Sequence, residues 1–159
     1  RQRQMCIRDR SHPDITLVVA GRGNLYFDMK PYKNLDYIQI MNHYIPMAEL
    51  AGLLKECLFV VCPYKDATQS GVIQTAFSLN VPVIVTNAGA LSEVVHDNET
   101  GLVVPMCNVE ALTCAIIKLL TEENLRDSMR HKIETFRKRN MSWNTIASQY
   151  EKCYRSKNF

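Results

Sequence analysis

The residues best suited to chemistry lie between positions 68 and 95. Ser70-Gly71-Val72 reads as a small loop opening a helix, residues 81–85 as a buried strand led by Pro82, and residues 87–93 as a Gly-bearing loop ending in a carboxylate. A helix N-terminus offers unpaired N–H groups and partial positive charge, which suits an anion. The loop after the next strand can offer backbone and one acid, Glu93, to hydroxyl groups, and Thr68 and Gln69 can reach such groups from the other side. A phosphate joined to a sugar fits both halves. Plainer readings stand beside this one. Ser70 can be an ordinary cap with Gly71 as a turn residue, Thr68 and Gln69 can be solvated loop, and Glu93 can cap a short turn over 91–95. The sequence carries no Ser-His-Asp, Cys-His or metal-ligand constellation, and no catalytic side chain is assigned.

Strands and helices must hold these residues in place. Residues 15–20 form a β-branched apolar run stopped by Gly21-Arg22-Gly23, and residues 36–41 alternate as a second strand. Pro46 then opens a helix over 47–57, whose Leu50, Leu53, Leu54 and Cys57 recur at helical spacing. Residues 58–62 are continuously apolar, the mark of a strand covered on both sides. A helix over about 71–79 follows. Next come the strand at 81–85, a helical turn, a strand at 102–104, and helices over 109–120, 122–139 and 143–155, with Asn108 and Ser142 as caps. Strand alternating with helix predicts an α/β fold: a doubly wound, Rossmann-like parallel sheet with helices on both faces. The helices after the last strand exceed what one sheet needs for cover.

Composition narrows the function. The net charge of +3 comes from residues 1–10, which hold four Arg and one Asp; the rest carries 15 basic and 15 acidic residues. A neutral body argues against nucleic acid as the partner, since phosphate backbones are met by a basic face. Residues 1–11 read as a non-native or disordered start, and 12–159 as one domain. The six cysteines show neither a C-x-x-C pair nor a histidine at ligand spacing, which suits a reducing, cytoplasmic setting without structural metal. No apolar run approaches a membrane span.

Five short motifs occur in order. They are Leu17-Val-Val-Ala-Gly-Arg-Gly23; the strand and turn over 38–50, with His43-Tyr44-Ile45; the run from Pro82 to Val95, with Gly89-Ala90 and Glu93; Gly101 to Pro105; and Trp143 to Tyr150. On these the chain resembles the carboxyl-terminal, donor-binding domain of family 4 glycosyltransferases (glycosyl transferases group 1), over residues 12–154. Their GT-B fold sets two Rossmann-like domains face to face. The resemblance implies a nucleotide-sugar site formed by Gly21, Gly23, His43, Tyr44, Thr68, Gln69, Ser70, Gly71, Val72, Thr75, Gly89 and Glu93. In it, Gly21 and Gly23 turn near the nucleotide, His43 and Tyr44 frame the base, and Thr75 faces the ribose.

Two departures accompany the resemblance. The family's E-x7-E pair falls on Ala67 or Thr68 and on Thr75, and a threonine hydroxyl gives one neutral hydrogen bond where a carboxylate accepts two charge-assisted ones. A subgroup with A-T-Q-S-G-V at the first position looks similar here. The family's first strand, its Arg and Lys diphosphate clamp and its acceptor domain find no match, so the chain is expected to be a fragment, inactive alone. The resemblance implies that the parent moves a sugar with retention, hexosyltransferase fashion, to a saccharide or lipid-linked acceptor. It would need no metal or other cofactor, and peripheral membrane association is open to it. A sugar-nucleotide epimerase of the same fold, or a non-catalytic remnant, remains an alternative.

Overall fold

The apolar runs become five strands and six helices among the described residues, with boundaries within about two residues of those expected. The computed structural model describes residues 15–23, 28, 30–32, 35–66, 70–140 and 143–156. In order these are β1 (Leu17–Ala20), β2 (Ile38–Met41), α1 (Met47–Glu56), β3 (Val60–Cys62), α2 (Gly71–Ser78), β4 (Val83–Thr86), α3 (Leu91–Val94), β5 (Gly101–Val104), α4 (Val109–Thr121), α5 (Glu123–Asn140) and α6 (Trp143–Ser156), with a 3-10 turn at Lys30–Tyr32. They fall into two compact units that divide between Leu53 and Leu54, inside α1.

In the first unit β1 and β2 pair in parallel, from Leu17 opposite Ile38 to Ala20 opposite Met41. Leu17 and Val18 are apolar yet more than a third exposed.

The second unit is built on a parallel sheet in the order β3-β4-β5. All four residues of β4 are buried, and neighbours along a strand face opposite sides, so this sheet is covered on both faces. On one face Ile84, Leu102 and Val104 pack with Ala115 and Leu119 of α4 and Met129 of α5. Each large apolar side chain so buried contributes roughly 1.5–3 kcal/mol. On the other face lies Val83, opposite Gly101 in the ladder. A Cβ on Gly101 would sit 2.2 Å from the Val83 carbonyl oxygen and 2.9 Å from Cγ1 of Val95, so β5 can begin there only with glycine. In α2, Ile73, Ala76 and Phe77 are buried, and the Phe77 ring meets Phe136 of α5 edge-on, 6.1 Å between centroids. Helix α4 packs on β4 and β5, α5 on α4 and α2, and α6 on α5. The helices beyond β5 thus extend past the sheet and onto one another.

The Asn108 cap is observed, its side chain accepting from the Ala111 N–H at 2.9 Å. Ser142 lies outside the described residues, as does the start of the chain at 1–14.

Candidate functional site

The described candidate residues lie at or after the carboxyl ends of the parallel strands, where open α/β sheets hold their ligands. In the second unit the first turn of α2 follows β3. Ser70, 8% exposed and in extended backbone, caps it: Oγ accepts from the Ile73 N–H at 3.4 Å, and the Ser70 carbonyl accepts from the Gln74 N–H. The N–H groups of Gly71 and Val72 come before the first carbonyl that could accept them within the helix, so they point out of it. Among the described residues the space at Gly71 is open, with nothing within 4 Å of the point where a Cβ would stand. Thr75 lies one turn on and is half-buried, and its hydroxyl donates to the Gly71 carbonyl at 2.7 Å. Its proton is thus committed to the helix, a hydrogen bond that a glutamate at this position would not make.

The loop after β4 leaves the same edge of the sheet as the one after β3, its parallel neighbour. The Asn87 N–H donates to Val104 at 2.8 Å, Ala88 is buried, and Gly89 turns with φ 52°, a conformation that favours glycine. Helix α3 follows, with Ala90 at its N-cap making no side-chain hydrogen bond, and Glu93 in its first turn is exposed. Thr68 and Gln69 lie outside the described residues.

Sequence reasoning missed two residues here, Tyr64 and Thr86. Thr86 ends β4, is 5% exposed, and its hydroxyl donates to the Tyr64 carbonyl. The Tyr64 phenol lies 3.4 Å from the Ser70 hydroxyl, and burial raises its pKa, the Ser70 contact offsetting this in part. Burial likewise pushes the Cys62 thiol up to about 11, against a lowering hydrogen bond with Tyr64, which leaves it protonated at neutral pH. The visible signal was a polar residue ending an otherwise apolar strand.

In the first unit Gly21, Gly23 and His43 also gather at the carboxyl ends of their strands. Gly21 has φ 149°, and its N–H donates to Met41 at 3.1 Å; the Gly23 N–H donates to Oδ1 of Asn42 at 3.3 Å. His43 Nε2 lies 3.3 Å from Oε1 of Glu49, and Tyr44 is 70% exposed. Among the described residues no group of three His, Cys, Asp or Glu side chains can hold a metal ion, and no helix is long and apolar enough to cross a membrane.

Comparison with known proteins agrees with this geometry. The profile described as glycosyl transferases group 1 matches residues 5–136. An uncharacterised glycosyltransferase of Methanocaldococcus jannaschii is 27% identical over 144 residues, covering 89% of this chain and 40% of that protein. A glycogen synthase of Mycobacterium tuberculosis is 24% identical over 149 residues, covering 91% of the chain and 36% of the synthase. In fold, the chain is similar to HepE of Anabaena, solved with UDP-glucose: TM-score 0.72 at 15% identity, over 91% of this chain and 42% of that one. The chain therefore spans less than half the length of each of these proteins. Its parallel α/β architecture is one Rossmann-like half of a GT-B fold, and the chain belongs to the glycosyl transferases group 1 family.

Proposed function

We propose that this chain is the donor-binding part of a retaining glycosyltransferase that moves a sugar from a nucleotide-diphospho-sugar to a saccharide or lipid-linked acceptor. The observation that carries the reading is the first turn of α2, capped by a buried Ser70 and open at Gly71 among the described residues, with the Gly89 turn following the neighbouring strand. Outward N–H groups at a helix start stabilise negative charge, and a diphosphate gains charge as it leaves the sugar. The UDP-glucose complex of HepE, similar in fold, supports the same ligand class.

In this reading Ser70, Gly71 and Val72 meet the diphosphate, with Gly89 letting backbone approach it. Glu93, Thr68 and Gln69 face sugar hydroxyls and Thr75 the ribose. Gly21, Gly23, His43 and Tyr44 border the nucleotide. The nucleotide-sugar is substrate rather than cofactor, no metal is invoked, and the acceptor is held by a further domain of a longer cytoplasmic parent that can rest on a membrane surface.

Titration of the 159-residue chain with uridine, guanosine and adenosine diphosphates, followed by thermal unfolding, tests this. One of them at 100 times its Kd should stabilise the fold by about 2.7 kcal/mol, a rise in Tm of about 5–10 °C. No response to any of the three sinks the donor-binding reading.

A further inference from the structure

The relay Thr86–Tyr64–Ser70 joins the end of β4 to the start of α2 across the loop that separates β3 from the helix. We propose that Tyr64 and Thr86 are positioning residues that aim the Gly71 and Val72 N–H groups at the donor diphosphate, acting through Ser70; this rests on the donor-binding reading above.

Each link has a defined partner. Thr86 is fixed by the sheet, with Val104 opposite it in β5, and its buried hydroxyl donates to the Tyr64 carbonyl. The Tyr64 N–H donates to the Cys62 carbonyl at 3.0 Å, so the Tyr64 backbone is tied to the ends of both β3 and β4. From that anchored position the phenol reaches the Ser70 hydroxyl. A serine hydroxyl has one proton and two lone pairs. One lone pair accepts from Ile73, and the remaining valence meets Tyr64. Both contacts are 3.4 Å, at the long end for hydrogen bonds, so neither alone holds the hydroxyl and the pair sets its rotamer. Ser70 is the residue from which the helix starts, and its hydroxyl on the Ile73 N–H holds closed the first turn that carries the Gly71 and Val72 N–H groups. The phenol is an accessory to the cap rather than a group that touches the ligand.

Three variants of the full chain separate this from plain packing. Tyr64→Phe keeps the ring and removes the hydroxyl; Thr86→Val keeps the volume and removes the donor; Thr86→Ser keeps the donor. The probe is whichever of uridine, guanosine or adenosine diphosphate the unaltered chain binds tightest. Calorimetry gives Kd, and amide resonances of Gly71 and Val72 report the contact directly. Tyr64→Phe and Thr86→Val should each raise Kd about 3- to 10-fold, in line with loss of one hydrogen bond, and shrink the ligand-induced shifts at both amides. Thr86→Ser should return Kd to within about twofold of the original, a rescue that follows the hydroxyl. If the unaltered chain binds and both hydroxyl-lacking variants bind equally well, the inference fails while the donor reading stands. It fails also if Thr86→Ser is as weak as Thr86→Val. Binding of none of the three diphosphates by the unaltered chain overturns the donor reading and the inference with it. Should Thr86→Val not fold, Tyr64→Phe decides alone.

Discussion

Asn80 follows α2 with φ 58°, in the left-handed region, and its amide oxygen is buried without a hydrogen-bond partner among the described residues. Its own N–H is satisfied, donating to Phe77 at 3.0 Å. Glycine would adopt the same backbone without a Cβ penalty and would delete the orphaned oxygen, which by itself is unfavourable by about 1–3 kcal/mol. Against this stands the larger chain entropy of glycine when unfolded, roughly 0.5–1 kcal/mol. Asn80→Gly should therefore stabilise the protein by about 1 kcal/mol, and Asn80→Ala, which keeps the strain, by less. Thermal denaturation checks the order; a destabilised Asn80→Gly would show that the amide oxygen is satisfied after all. Asn80 and Gly89 share the left-handed region but not the reason for it, since one closes a helix and the other lies in the turn between β4 and α3.

At the scale of elements, α5 supplies donors to the last carbonyls of α4. Arg126, 8% exposed, turns its guanidinium back so that Nη1 donates to the Leu119 carbonyl at 2.7 Å and to Leu120 at 3.0 Å. The last carbonyls of a helix have no intrahelical donor, and a cation there also meets the negative end of the dipole. Arg126→Met keeps the aliphatic stem and loses both bonds, so it should destabilise by about 1.5–3 kcal/mol, while Arg126→Lys, with one ammonium, should lose roughly half of that. Urea unfolding measures both; a methionine variant as stable as the original would mean that the two Nη1 bonds do not hold the end of α4. Caps mark the limit of what was legible beforehand. Ser70 and Asn108 were visible in the sequence because a cap and the N–H that donates to it lie three residues apart. Arg126 capping another helix, and Thr86 reaching Tyr64, were not, because periodicity describes one element at a time and these bonds join two. The helix and strand boundaries themselves needed only apolar period and Gly or Pro punctuation.

Across the molecule, burial is uneven in a way that stability should follow. In the second unit β4 is hydrogen-bonded on both sides and buried on both faces; in the first, β1 has one partner among the described residues and leaves Leu17 and Val18 more than a third exposed. Opening free energies track such differences. Amide hydrogen exchange should be slowest over Val83–Thr86 and much faster over Leu17–Ala20. Equal protection in the two strands would contradict this. The architecture was readable because a continuous apolar run such as 58–62 and the Pro-led strand before Thr86 can hardly be solvated. Which sugar, base or acceptor is used was not, because those choices rest on contacts that strand and helix patterns do not encode.

Gly101 also has a consequence in time. Parallel neighbours cannot be joined by a tight hairpin, so Val60 waits for Val83, and Val83 in turn for Gly101, before the three-stranded sheet can close. A chain leaving the ribosome would therefore hold β3 and β4 with one edge unpaired until β5 emerged. The last strand can then seat only through the one residue that has no side chain to collide with Val83. Its glycine is thus the condition for closing an apolar edge of β4 that stands open during synthesis, when such edges invite aggregation.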